Sequence, residues 1–504
     1  LSDNNRMKFD LKNLPDDPAL LKKIILQQQS KLLHLEELFR LAQQKQFGKS
    51  AEGYPSQAEL FNEAEVEVET LEAEDVAKVS KPRRKKPVRK PLPAELPREV
   101  VIHDISAADK VCDCCGNDLH QMGEEKSEKL EFVPAQVKVI EHVRLKYSCR
   151  VCDKHSTEVK IKIAPVPASP ILKGIATASL LSQIITSKYQ YGLPLYRQES
   201  LFQQYGIELS RKTMADWILK CGELLLPLYD KLCEILLQQA VIQADETTVN
   251  VLKEDKATCY MWLYVTGTDT PNNQGIPNIV LYDYQPSRAG QCAVDFLDGF
   301  SGYLQVDGYA GYAKTDAELV GCWAHARRKF TEAEIAQPKG KTGKANWALN
   351  HIQKIYRIET LNKDSSPEVR RQQRQLHSQP LLDELHRWLE KSQHHVPPKS
   401  SLGKAITYCL NQWPNLNRYL EDGRLNIDNN RAERAIKPFV IGRKNWLFAN
   451  TANGAKASAI LYSMIETAKA NGLMPFDYLM YCLEQLSLKP ESLDHLLPWN
   501  AKLG

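Results

Sequence analysis

No run of roughly 18 apolar residues occurs in this sequence, so no membrane-spanning helix is expected. Its first residues, LSDNNRMKFDLKN, lack a basic start followed by an apolar stretch, so no secretory signal is expected there. Residue 1 is Leu and not Met, which reads as an unusual start codon or a trimmed end. Without export, the 12 cysteines are expected to stay reduced in the cytoplasm. An excess of one charge sign is missing too: 66 Lys and Arg face 62 Asp and Glu, a net +4. That small sum hides strongly charged blocks. With 504 residues, 43% hydrophobic and 25% charged, the chain reads as globular and longer than one domain.

Asp17-Pro18 has the form of a helix cap followed by Pro in the first turn. Beyond it Leu21, Ile25, Gln28, Leu32, Leu35 and Phe39 keep a 4-3-4-3-4 spacing. This is the seam of a coiled coil, with Gln28 able to fix its register. An acidic stretch at 59–75 follows. Then KPRRKKPVRK, residues 81–90, holds seven basic residues: Lys81, Arg83, Arg84, Lys85, Lys86, Arg89 and Lys90. Its prolines forbid a regular helix, so it is expected to be a linker whose charges neutralise phosphates.

Cys112 and Cys115 make one C-x-x-C, Cys149 and Cys152 another. Two such knuckles complete a closed four-thiolate zinc site. The intervening KLEFVPAQVKVIEHVRLKYSC suggests a hairpin between the knuckles, as in a zinc ribbon. With all four positions filled the ion is structural, since no water can bind it. Cys114, His103 and His155 are expected to be bystanders.

From Ile171 to about Leu236 the pattern is helical. A turn at Gly206 and a cap at Ser210 would introduce a second helix with Arg211, Lys212 and Thr213 at its start. The arrangement suggests a helix-turn-helix, whose second helix meets DNA through its N-terminal residues.

After Gln239 the texture becomes strand-like: AVIQADETTVNVL, ATCYMWLYVTGT and NIVLYDYQP. A short helix, AGQCAVDFLDGF, precedes a fourth strand, GYLQVDGYAGY. LVGCWAHA is expected to be a fifth strand running on into RRKF. With a helical turn near Lys314 before the fifth strand, the order of three strands, a helix, a strand, a helix and a strand, with later helices, is that of a ribonuclease-H-like α/β core. There the first and fourth strands are neighbours, so Asp245 and Asp307 would lie side by side. Glu433 in DNNRAERAIKP, behind the capping residues Asp428, Asn429 and Asn430, is the natural third carboxylate. Grouped carboxylates repel one another unless cations neutralise them. Mg2+, or Mn2+, prefers such oxygen ligands, and two ions can serve both oxygens of a displacement at phosphorus. Asp245 would bridge the ions, with Asp307 on one and Glu433 on the other. Glu246 is expected to face away from Asp245 along the strand, and Asp316 to be poorly placed.

Arg434 and Lys437 follow Glu433, and Arg443, Lys444 and Trp446 continue a basic and aromatic pattern suited to DNA. Trp446 suits core packing equally well. Cys322 and His325 have ligand-like spacing, but two residues cannot complete a zinc site, so they read as packing or orienting groups. Residues between Arg327 and Asp428 suggest a helical insertion.

Together, ADETTVNVL, VDGYAGY, CWAHARRKF, DNNRAERAIKPFVIGRKNWLF and TAKANGLMPFDYL resemble the insertion-sequence-66 family of bacterial transposases. The resemblance implies a DDE transposase with its triad on Asp245, Asp307 and Glu433. It implies DNA partners with terminal inverted repeats, target DNA, accessory proteins of the same element and joining of strands as well as cutting. Thr248 stands where many relatives have Pro, and Val306 where Thr is common, but neither is a carboxylate. The expected division is a zipper-like helix (1–50), a linker (51–100), a zinc ribbon (101–165) and a DNA-binding helical segment (166–238). The core (239–330 and 426–465) would enclose the insertion (331–425), and a C-terminal segment (466–504) would follow. Homo-oligomers and association with the nucleoid are expected. A DNA-binding regulator without chemistry, or a nuclease that only hydrolyses, are the other readings of these residues.

Overall fold

A computed structural model describes residues 17–47, 100, 137–147, 162–256, 258–268, 276–337 and 343–503. The cysteine knuckles, the acidic stretch and the basic run lie outside the described residues, as do Cys114, His103 and His155. The chain forms two units, residues 74–164 and residues 1–73 with 165–504.

Helix α1 (Pro18–Phe47) begins as expected, with Asp17 Oδ1 accepting from the Ala19 amide at 3.0 Å. It is held through its polar side: Arg40 donates to the Ala336 carbonyl at 2.7 Å, and Glu37 accepts from the Ser401 amide at 3.4 Å. The seam residues Ile25, Leu32, Leu35 and Phe39 stay exposed. In the smaller unit, β1 (Lys146–Tyr147) pairs antiparallel with β2 (Lys162–Ile163). This pairing brackets the second knuckle. Of the hairpin expected between the knuckles, residues 137–145 form no strand. Val139 and Val143 there are exposed, so a strand would have no face to bury.

The larger unit continues with α2 (Ala178–Tyr189), α3 (Leu195–Gln204) and α4 (Arg211–Leu237). Gly206, at φ +74°, makes the turn after α3 in a conformation that side chains disfavour. Ser210 Oγ caps α4 by accepting from the Thr213 amide at 3.2 Å. Leu225, Leu228, Leu232 and Leu236 give α4 one fully buried face.

Five strands follow in one mixed sheet: β3 (Val241–Asn250), β4 (Thr258–Thr266), β5 (Ile279–Gln285), β6 (Tyr303–Gln305) and β7 (Glu318–Val320). Helix α5 (Gly290–Phe296) connects β5 to β6. The strand order is β5-β4-β3-β6-β7. The first three strands run antiparallel, while β6 lies parallel to β3 and β7 parallel to β6. Met261 to Val265 of β4 are buried without alternation, as in a strand covered on both faces.

The expected fifth strand ends at Val320, and Trp323–Ile335 is helix α6. Trp323, Ala326, Arg327, Phe330 and Ala333 are buried at three- and four-residue intervals, which fits a helix against one core and not a strand. Four further helices, α7 (Lys344–Leu361), α8 (Pro367–Gln373), α9 (Gln379–Gln393) and α10 (Ser401–Asn417), fill the region read as an insertion. They close a second core around Trp323, Phe330, Ile352, Leu385, Ile406 and Leu416. Within it Arg374 is 1% exposed. Its guanidinium binds both Glu359 oxygens at 2.8 and 2.6 Å. It also donates to the carbonyls of Tyr419, Asp422 and Leu425 at 2.7, 2.9 and 2.8 Å.

Helices α11 (Asn430–Trp446), α12 (Ala452–Ala470) and α13 (Pro475–Ser487) end the unit. Helix α12 packs between α4 and β5. A Cβ on Gly222 of α4 would lie 2.9 Å from that of Ala457, so glycine permits the approach. On the other side α12 covers the outer edge of β5. Thr467 Oγ1 accepts from the Val280 amide (3.0 Å) and donates to its carbonyl (2.9 Å), and Ser463 Oγ accepts from the Tyr282 amide (2.8 Å). The expected boundaries at 330–331 and 465–466 fall inside α6 and α12.

Candidate active site

The sheet register aligns two carboxylates. Gln243 of β3 pairs with Gln305 of β6, and their side chains bond to each other at 3.1 Å. Two residues onward on each parallel segment stand Asp245 and Asp307. Asp307 opens a turn in which its Oδ1 accepts from the Tyr309 amide at 2.9 Å. Gly308 has φ +97°, so the turn needs a residue without a Cβ. Tyr408 of α10 donates to the Asp307 carbonyl at 2.9 Å, tying the helical region to the turn.

Glu433 arrives from the first turn of α11. Asp428 Oδ1 accepts from the Asn430 amide at 3.2 Å, and Oδ2 from the Tyr356 hydroxyl at 3.1 Å. Asn429 stands at the cap position, but its side chain donates to the Ala244 carbonyl at 2.8 Å, beside Asp245. The Asn429 amide donates to Cys322 Sγ at 3.2 Å, and the Trp323 amide to the Ile427 carbonyl at 3.1 Å. The helix start is thereby fixed to β3 and to α6. Glu433 is 5% exposed.

The electrostatics follow from burial of like charges. Burial, then Glu246, Asp307 and Glu433, hold the Asp245 carboxyl well above its ordinary range. Burial pushes Glu433 up to about 7 against the pull of Arg328, with Asp428 and Asp307 adding to the rise. Arg328 Nη2 lies 3.7 Å from Glu433 Oε2, and His325 Nδ1 lies 3.5 Å from Oε1. Burial and Arg328 push His325 down to about 4, so its ring is neutral near pH 7. Burial pushes the Cys322 thiol far up. Cys322, His325 and Glu433 bring their ligand atoms within 4.8 Å of one another. The sequence offered the first two without a third, because the third lies more than a hundred residues onward.

Glu246 is occupied. It accepts from Tyr312 at 2.7 Å and from Arg288 Nε at 2.8 Å, and Arg288 also stacks over Tyr309 at 4.0 Å. Asp316 is exposed in a bend after the Asp307 turn. Arg434 and Lys444 are exposed and Lys437 is half-buried. Arg443 is turned toward β3, donating to Thr247 Oγ1 at 2.8 Å and to the Thr248 carbonyl. Trp446 packs edge-on against Phe439, with ring centroids 5.6 Å apart, which is the core role. Arg211 and Lys212 are exposed on the first turn of α4.

A pH dependence follows. Glu433 titrates near 4.5 when unfolded and about 7 when folded, so the folded chain binds the extra proton. Its contribution is fully present below pH 4.5 and is lost as pH rises through about 7. The loss is about 3 kcal/mol, at ~1.4 kcal/mol per unit. Urea unfolding in Mg2+-free buffer from pH 5 to pH 8 is expected to show stability falling, and Glu433→Gln to flatten the slope. A slope unchanged in that variant refutes the assignment.

The chain matches the model of the Transposase IS66 family over residues 173–457. Residues 109–153 match the zinc-finger binding domain of transposase IS66, and this range includes both C-x-x-C knuckles. Residues 34–101 match "Transposase C of IS166 homeodomain", and residues 463–499 the IS66 C-terminal element. Among its relatives, the "Uncharacterized protein y4jD" of Sinorhizobium fredii is 35% identical over 427 residues, covering 82% of this chain and 81% of that one. The "Uncharacterized protein y4qI" of the same organism is 33% identical over 509 residues, covering 96% and 92%. No solved structure matches. Among the described residues, no helix is long and apolar enough to cross a membrane. With the family's model spanning more than half of its length and relatives alike over most of theirs, the chain belongs to the IS66 family of transposases.

Proposed function

We propose that this transposase has a ribonuclease-H-like core and cuts DNA at the ends of its element, then joins them to target DNA, with Asp245, Asp307 and Glu433 as its catalytic carboxylates. The observation that carries the reading is that Asp245 and Asp307 each stand two residues beyond the paired Gln243 and Gln305, while Glu433 enters on a helix bonded to the Ala244 carbonyl, near enough that both Asp307 and Glu433 raise the Asp245 carboxyl. The strand order, three antiparallel strands beside two parallel ones, supports the core assignment.

The donor set fits hard divalent cations. It is all-oxygen and largely removed from solvent, burial and neighbouring charges push the Asp245 and Glu433 carboxyls toward protonation, and Glu433 Oε1 has no hydrogen-bond partner. Asp245 would bridge two Mg2+ or Mn2+ ions, Asp307 would hold one and Glu433 the other. Bound there, such ions supply stabilisation of the attacking and leaving oxygens during in-line displacement at phosphorus. Arg288 and Tyr312 hold Glu246 still beside the site, leaving Asp245 and Asp307 to the ions. Arg434, Lys437 and Lys444 on α11, and Arg211 and Lys212 on α4, would bind the DNA backbone. Water would attack the phosphodiester at the element end and displace the element's 3′ oxygen, and that 3′ hydroxyl would then attack a target phosphodiester and displace a target 3′ oxygen. The exposed seam of α1 would pair with a second copy, and accessory proteins of the element would complete the assembly. The test is purified protein with Mg2+ and labelled DNA bearing the element ends. Released and joined ends are expected, and binding without either product would refute the reading in favour of a regulator.

The four cysteines would hold one structural zinc ion. After dialysis against a chelator the chain should retain about one zinc, as a closed four-thiolate site does. Replacing Cys112 and Cys115 by Ser should remove it, and elemental analysis showing zinc retained would refute the ligand set. Neutralising Lys81, Arg83, Arg84 and Lys85 should weaken binding to all DNA sequences and lower the salt slope by about 0.9 for each phosphate no longer neutralised. An unaltered slope in a titration from low to high salt would make residues 81–90 a tether only.

A further inference from the structure

We propose that Cys322, His325 and Glu433 form a second metal site, one that takes a borderline or soft divalent ion such as zinc and competes with Mg2+ for the Glu433 carboxylate. The competition rests on the reading of Glu433 given above, while the site itself does not.

The first argument is spacing. His325 Nδ1 and Glu433 Oε1 are 3.5 Å apart, and neither has a hydrogen-bond partner, although Glu433 is buried. A hydrogen bond between them would bring them to about 2.7–3.2 Å. Two ligands on one tetrahedral zinc, with bonds of about 2.0–2.3 Å, stand roughly 3.3–3.6 Å apart. The pair therefore has the separation of ligands around an ion, and Cys322 Sγ lies within 4.8 Å of a ligand atom of each residue.

The second argument is the surroundings of the sulfur. Cys322 occupies the cap position of α6, and the Asn429 amide, from the cap of α11, donates to its Sγ at 3.2 Å. Two helix N-termini thus converge on Cys322 and Glu433, and their partial positive charge favours thiolate and carboxylate. A buried thiol needs no such donor, whereas a metal-bound thiolate is stabilised by it.

The third argument is selectivity. A thiolate, an imidazole and one carboxylate oxygen suit zinc, cadmium or cobalt, and Mg2+ takes oxygen almost alone. Arg328 approaches the other oxygen, Oε2, at 3.7 Å, which leaves Oε1 for the ion but lowers its affinity. Three protein ligands leave one coordination position open. An exchangeable ion results, unlike that of the four-cysteine site. Binding releases the thiol proton to solvent and involves no redox change.

The full chain, dialysed against chelator so that it keeps its structural zinc, is titrated with Co2+. About one further equivalent should bind, with a sulfur-to-cobalt charge-transfer absorption in the near ultraviolet. Cys322→Ser should lose that absorption, and His325→Gln, at a partly exposed position, should weaken uptake at least about tenfold. The second variant decides the matter if the first misfolds. Undiminished uptake and absorption in folded Cys322→Ser or His325→Gln overturns the proposal. Asp245→Asn and Asp307→Asn should keep the absorption; its loss there would put the ion in the all-carboxylate centre and overturn the proposal. In cleavage reactions zinc should inhibit and added Mg2+ should relieve it; inhibition that Mg2+ cannot relieve overturns the competition. A chain that never cleaves DNA refutes the carboxylate reading, and the cobalt titration still decides the site.

Discussion

Cleavage of element ends by Glu433→Gln is expected to fall at least about 10³-fold while the protein stays folded and still binds DNA. The fold should survive because the amide has nearly the shape of the neutral acid, and burial already pushes Glu433 up to about 7. In Mg2+-free buffer above pH 7 the variant should even be the more stable one, since position 433 no longer carries a buried charge. Cleavage fails for a different reason: an amide oxygen is a poorer Mg2+ ligand than a carboxylate. DNA affinity should hold or rise, because one negative charge near the phosphates is gone. Asp245→Asn and Asp307→Asn should behave alike, and pairing them should add little, as for residues that act as one unit. Glu421→Gln is the control, since Glu421 is exposed beside Arg418. The measurement is release of labelled ends in Mg2+, beside a binding assay on the same preparations. Normal cleavage by Glu433→Gln would reduce α11 to a charged helix and send the search for a third carboxylate elsewhere.

Replacing Arg374 by Met should cost about 3–5 kcal/mol, the range for breaking a buried ion pair by removing one partner. Glu359 would lose its paired charge, and the carbonyls of Tyr419, Asp422 and Leu425 would lose their donors inside the second core. Arg374→Lys should recover little, because an ammonium cannot reproduce the planar fork that spans Glu359 and three carbonyls. The affected segment leads directly into Ile427 and Asp428, so loosening it should also release the start of α11. Urea unfolding measures the first effect, and protease cutting between 418 and 428 the second. A lysine variant as stable and as resistant as the parent would contradict this account.

Much of the site can be read from the sequence because strand periodicity and the capping run DNN are local signals. The parallel pairing of β3 with β6 meets the expectation that the first and fourth strands are neighbours. What the sequence does not show are features that depend on distant partners. LVGCWAHA looks like a strand because Leu319 to Trp323 are nearly all apolar, and only burial against α7 and α10 selects the helix from Trp323. Glu433 could not be grouped with Cys322 and His325 from their spacing, because it comes from another helix. Arg443, read as a DNA contact, has bonds to Thr247 and Thr248 of β3 that its local sequence does not announce. Arg374 sits in RRQQRQL without any local mark of its burial.

The covering of β5 by α12 bears on the order in which the chain is made. Thr467, which satisfies Val280, is synthesised 187 residues after it. Until then Val280 and Tyr282 present unpaired backbone groups at a sheet edge, a template for joining other strands. A chain cut short between Trp446 and Ser463 would carry all three carboxylates and still lack this closure. Products of premature stops or frameshifts between Trp446 and Ser463 are therefore expected to stick together or be degraded rather than persist as compact fragments.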